Sequence, residues 1–231
     1  MSKLFFSNLI WFLLVTLAFL SISFICSAQQ VMNFVAPAGY KKVMETRGDL
    51  DKNGTAEVVY VYNTDKANGE NGFFRVLYIC KVVDGKETLW KENRSVLRSS
   101  RECGFCVDEG IDLGVEIKNN TLIISQTFNH NTRHYSTNKD IFRYQNMGWF
   151  LIGSTFREFD TCEYDYTYDI NFSTKQVSAA FTYGDCDEGK EIPKNRLYDF
   201  KYPFKGLVRM DSFKPGQVEL KIPNSKSYFY Y

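Results

Sequence analysis

This chain has no surplus of charge. Its formal net charge is +1 and its lysines do not cluster, so it has neither the basic footprint of a nucleic-acid binder nor an acidic tail. No nucleic-acid partner is expected. G-x-S-x-G, a phosphate-cradling glycine loop and the dinucleotide fingerprint are all absent, and with them the main motif-level signs of a hydrolase, a P-loop enzyme or a dinucleotide enzyme. Histidine is reduced to His130 and His134. A four-residue spacing would align them on a helix, as in metal-binding motifs, but Asn129, Asn131, Thr132 and Asn138 mark a loop or hairpin tip. Both therefore read as surface polar residues. Cys103 and Cys106 have no second pair of similar spacing, which leaves a zinc site without half its ligands. Beyond the N-terminal segment there is no convincing helical period, and no repeat or low-complexity linker interrupts the chain, which argues against a propeller of several blades.

The N-terminus carries the compartment signal. Lys3 precedes an almost uninterrupted apolar segment from Leu4 to Cys26, followed by Cys26-Ser27-Ala28 before Gln29. This is the layout of a signal peptide with a small-residue cleavage site. The expectation is an exported protein, periplasmic, envelope-associated or secreted, with residues 1–28 removed and 29–231 forming one β-rich domain. The apolar stretch also has the length of a membrane anchor. A lipoprotein reading would use Cys26, but bulky Ile25 stands where a small residue is required. Membrane contact is expected only if this segment stays uncleaved or is lipidated.

Aromatic residues make up 16% of the chain, including 15 Tyr and 20 Phe, a composition that favours strands. Strands are expected at 56–62, 73–83, 87–92, 114–118, 121–128, 134–144, 148–157, 162–172, 176–183 and 196–201, separated by turns rich in Asn, Gly and Asp. Residues 73–83 are apolar on both parities, as in a central strand, whereas Tyr164, Tyr166, Tyr168, Ile170 and Phe172 alternate with polar residues, as in a strand with one wet face. Short turns between many strands imply an all-β fold, a single antiparallel domain built as a sandwich or open barrel.

The clearest chemical pattern is GDLDKNGTAEVVYVY. Asp49, Asp51, Asn53 and Glu57 surround Gly54, placing oxygen side chains at alternate positions of a tight turn. A hard cation such as calcium needs six to eight oxygens, and glycine permits the bend. This is not an EF-hand: the twelfth position is Tyr60, and a strand follows where a helix belongs. An Asx-type turn is the alternative reading. The D-x-D-x-N-G-x-x-E spacing resembles the short aspartate loops of FG-GAP-like repeat proteins and related calcium-bearing β modules. That resemblance implies a structural calcium ion held by Asp49, Asp51, Asn53 and Glu57.

Without the signal, Cys80, Cys103, Cys106, Cys162 and Cys186 remain, an odd number that leaves at least one unpaired within the chain. Export permits disulfides. A hairpin over 162–186 with Phe172 opposite Val177 and Tyr168 opposite Phe181 brings Cys162 and Cys186 close, given a bulge at Gly184. Cys103-Gly104-Phe105-Cys106 has the thioredoxin spacing, but a glycine-broken, strand-like segment follows it instead of a helix. A local disulfide or a tie to Cys80 is expected there. Asp108, Glu109 and Asp112, and the loop of Asp185, Asp187 and Glu188, offer carboxylates for a glycosidase-like pair or a second cation, and equally read as solvated loop charges.

CGFCVDEGIDLGVEIKNNTLIIS, KDIFRYQNMGWFLIGSTFREFD and DINFSTKQV resemble a group of uncharacterised secreted bacterial β-proteins that combine an aspartate loop with a later cysteine-glycine segment. The resemblance implies a hairpin joining Phe142-Arg143-Tyr144 to Trp149-Phe150-Leu151-Ile152-Gly153, and it implies no activity. Three functional classes follow from the residues. The leading one is a calcium-stabilised exported binding or envelope-associated module, with an envelope protein or polysaccharide as partner. The others are a hydrolase of an extracellular polymer and a thiol-disulfide protein using Cys103 and Cys106.

Overall fold

The computed structural model describes residues 33–106, 112–184, 186, 189 and 191–231. The expected signal segment with Cys26, and the carboxylates Asp108, Glu109, Asp185, Asp187 and Glu188, lie outside them. The described residues form strands and turns, with two single-turn 3-10 segments at Gly69–Asn71 and Met210–Ser212 and no α-helix.

The first sheet is an antiparallel meander of β1 (Lys41–Gly48), β2 (Glu57–Ala67), β3 (Phe73–Val83) and β4 (Lys86–Asn93). Asp84 and Gly85 form the β3–β4 link with φ of 52° and 72°, the left-handed pair that matches strand twist in a two-residue hairpin. β3 is central and buried from Arg75 to Cys80, as its double-parity apolar sequence implies. The second sheet continues the meander through β5 (Leu113–Lys118), β6 (Thr121–Asn129), β7 (His134–Gln145), β8 (Gly148–Asp160), β9 (Tyr164–Asn171), β10 (Gln176–Tyr183) and β11 (Arg196–Lys201). β12 (Val208–Arg209) adds to β8 at Leu151 and Phe150, just before β9 begins pairing at Gly153. β13 (Glu219–Lys221) and β14 (Tyr228–Tyr230) form a small third sheet. The described residues are all-β, with open antiparallel sheets rather than a closed barrel.

One core joins the three sheets. Val59, Val61, Leu77 and Ile79 of the first sheet, Leu122, Ile124, Phe142 and Ile170 of the second, and Phe229 of the third belong to the same buried cluster. The YFYY end thus packs as a strand. A second cluster of Val58, Tyr60, Val76, Tyr78 and Cys80 lies on the other face of the first sheet, with Phe34 and Tyr40 packed against it.

The β9–β10 register differs from the expected one by two residues: Val177 faces Ile170, Ala179 faces Tyr168 and Phe181 faces Tyr166. The shift keeps every side chain on its expected face, because the side-chain period is two, so hydrophobic alternation alone does not distinguish the registers. Cys162 and Cys186 pair just beyond the ladder with a Cα–Cα distance of 5.5 Å. Gly184 permits the close approach there: a Cβ at this position would lie 2.2 Å from the Cys162 carbonyl oxygen. Cys103 pairs locally with Cys106 at a Cα–Cα distance of 5.6 Å, and among the described residues Cys80 is free and buried.

Candidate metal centre

The aspartate loop links β1 to β2 and is anchored at both ends. Leu50 is buried in the common core, and its backbone N–H donates to Glu57 Oε2 at 2.7 Å. Asn120, in the β5–β6 turn, donates through Nδ2 to the Asp49 carbonyl at 2.9 Å. The loop therefore ties the first sheet to the second.

Backbone donors fix the turn. Lys52 N–H donates to Asp49 Oδ1 at 2.6 Å and Gly54 N–H to Asp49 Oδ2 at 3.0 Å. Asn53 N–H donates to Asp51 Oδ1 at 3.3 Å, and Thr55 N–H to Asn53 Oδ1 at 2.6 Å. Lys52 and Gly54 take positive φ, 68° and 82°, and at Gly54 the left-handed backbone carries no side-chain penalty. The expected Asx-type hydrogen bonds are thus present, and they hold the acidic side chains in place. Each ionised carboxylate has about four lone-pair positions, so these bonds leave acceptor capacity for an ion.

Asp49, Asp51 and Glu57 bring carboxylate oxygens within 4.8 Å of one another. Two unit charges at that separation repel by roughly 3 kcal/mol at an effective dielectric near 20. The protein supplies one counter-charge: Lys81 Nζ lies 2.5 Å from Asp51 Oδ2 and 4.0 Å from the centre of the Trp90 ring. Glu57 is buried, and that burial, followed by the charge of Asp51, pushes its carboxyl above the usual range despite the Leu50 bond. Three carboxylates against one ammonium leave the cluster short of positive charge. Its hard oxygen donors and close spacing fit a small divalent cation. Asn53 lies in the same turn, with its Oδ1 turned to the Thr55 amide.

Two other carboxylates, Asp112 and Asp160, are neutralised by the protein. Asp112, expected as a solvated loop charge, is instead buried and paired with Arg75, whose Nη1 lies 3.0 Å from Asp112 Oδ2. The sequence gap of 37 residues hid this pair. Asp160 accepts from Arg133 at 2.8 Å and from the backbone N–H groups of Cys162 and Glu163, and His134 Nε2 lies 2.9 Å from its other oxygen. The Arg133 bond comes first in holding this carboxyl at about 2. His134 thus completes a turn at the Asp160 corner, while His130 Nε2 sits 3.0 Å from Ser136 Oγ.

Cys103 and Cys106 are paired with each other at a Cα–Cα distance of 5.6 Å, and the residues that follow them, 107–111, lie outside the described residues. Burial pushes the Cys80 thiol up to about 12. Comparison with known proteins gives no match among family models, curated sequences or solved structures. Geometry and chemistry therefore carry the functional reading.

Proposed function

We propose that the chain is an exported β-domain that takes one structural calcium ion at Asp49, Asp51 and Glu57, with Asn53 as a further oxygen donor, and acts as a binding or envelope-associated module. The single observation that carries the reading is the deficit of positive charge in a loop that bridges both sheets: three carboxylates within 4.8 Å and, among the described residues, one ion pair, from Lys81, to balance them. Oxygen-only ligands favour calcium over softer transition metals. The ion's role is to join the sheets rather than to activate water, since Leu50 and Glu57 beside it are buried and Asn120 ties the loop to the second sheet. Two cysteine pairs at disulfide distance support an oxidising compartment.

Calorimetric titration of the protein with calcium tests this. One ion per chain is expected, with binding lost in Asp49→Asn/Asp51→Asn. Absence of calcium binding by the native chain, or binding unchanged in that variant, overturns the assignment.

A further inference from the structure

The outer face of the second sheet has a depression of about 370 Å³ centred on Gly153. Pairing places Ile141 and Asn171 directly across from this glycine on either side. The missing side chain leaves a gap whose walls include Arg143, Asp169 and Ser173. Gly153 has no positive φ, and a Cβ there would meet Ile141 Cδ1 at 3.4 Å, so the backbone itself does not require glycine. The β7–β8 bulge between Ile141 and Phe142 falls at the same point and breaks the regular row of side chains.

The lining is chemically uneven. Arg143 Nε is buried without a hydrogen-bond partner, and among the described residues no carboxylate pairs with this guanidinium. Asp169 Oδ1 accepts from Thr155 Oγ1 at 2.7 Å, and the carboxylate retains further lone pairs. Ile141 and Ile152 supply hydrocarbon. Arg209, opposite Phe150 on β12, extends positive charge beside the depression, its guanidinium 5.5 Å from the Phe150 ring centre. Arg143 faces Phe150 from the other side.

We propose that this depression binds an acidic sugar residue of a polysaccharide: Arg143 takes the carboxylate, Asp169, Asn171 and Ser173 take ring hydroxyls, and Ile141 and Ile152 meet the C–H face. The assignment rests on the binding-module reading and names its ligand class. A planar guanidinium pairs with a carboxylate through two parallel bonds. Asp169 in the same wall accepts from hydroxyls and repels a phosphate dianion, which selects a singly charged acid. Arg209 and Phe150 provide a place for the neighbouring unit of an extended acidic chain. The depression involves none of the aspartate-loop residues, so its ligand is recognised without the calcium ion.

The test is titration of the protein with trigalacturonate and with its methyl ester, followed by amide NMR shifts in calcium-containing buffer. Saturable shifts at Gly153 and Asn171 are expected with the acid. The ester and the Arg143→Gln variant should each bind about tenfold more weakly or worse, and Gly153→Val should fill the site. Calcium titration of the same variants separates the two readings, because each variant is expected to keep its calcium affinity whatever happens to the sugar. No binding of the acid, equal binding of acid and ester, or binding unaffected by both substitutions overturns the proposal. A response that vanishes only in Asp49→Asn/Asp51→Asn also overturns it, since it would mean calcium bridging at the loop.

Discussion

The aspartate loop and the Arg75–Asp112 pair hold carboxylates in opposite ways. At Asp112 one buried acid meets one buried guanidinium, with Asn63 Oδ1 and the Ser100 carbonyl also accepting from Arg75. In the loop, three acids share one ammonium that comes from β3. The first arrangement is complete with protein groups alone. The second leaves carboxylate charge that the proposed calcium ion would balance, so the two regions should respond differently to metal, to pH and to substitution.

Removing one partner from the complete site should have the largest effect. Arg75→Met leaves the Asp112 charge buried without its partner, a change that costs about 3 to 5 kcal/mol. Denaturant unfolding should show this loss equally in calcium and in EDTA. A calcium-dependent loss would link the pair to the loop and break the contrast.

A further carboxylate, Asp140, has neither arrangement. It is buried on β7, accepts from Ser154 Oγ at 2.7 Å, and leaves Oδ2 without a partner. Burial outweighs the Ser154 bond and the charge of Arg98, raising the carboxyl to about 7. The fold therefore favours the protonated form, and the unfolded chain releases that proton near pH 4. Stability contributed by this group is full below about pH 4, declines as pH rises towards 7, and is level above. The decline should be about 2 to 4 kcal/mol. Asp140→Asn should flatten that part of the pH–stability profile, and an unchanged slope would show that Asp140 is not its source.

Lys81→Met sharpens the contrast with a smaller effect. Removing the ammonium that pairs with Asp51 makes the cluster more negative, so calcium affinity should rise roughly fivefold, or about 1 kcal/mol, while the metal-free protein loses stability. Lower calcium affinity in this variant would mean that the lysine organises the loop more than it competes with the ion.

Much of this was legible in the sequence where the period was local. β2 to β11 follow alternation, β-branched runs and Asn- or Gly-containing turns, and β3 is central because its apolar residues occupy both parities. The face of the β9–β10 hairpin was legible and its register was not, since a two-residue slip preserves every face. β1 was missed because KKVMETRG alternates weakly and is mostly half-exposed or exposed. β12 to β14 are only two or three residues long and depend on partners distant in the chain. The aspartate loop was visible because its donors lie within nine consecutive residues. Lys81 and Asn120 join it only through β3 and the β5–β6 turn, and Arg75 reaches Asp112 across 37 residues, so no local pattern points to them. The Gly153 depression was equally hidden, because its walls come from three strands.

The most direct test of the contrast between a self-neutralised site and a loop proposed to take calcium is thermal unfolding in EDTA and in calcium, for the native chain, Asp49→Ala/Asp51→Ala and Arg75→Met. Calcium at 100 times its dissociation constant should stabilise the native chain by about 2.7 kcal/mol. The same increment is expected in Arg75→Met, and none in the loop variant. Equal unfolding of the native chain in EDTA and in calcium would contradict the account and leave the loop as a turn held by its own backbone hydrogen bonds.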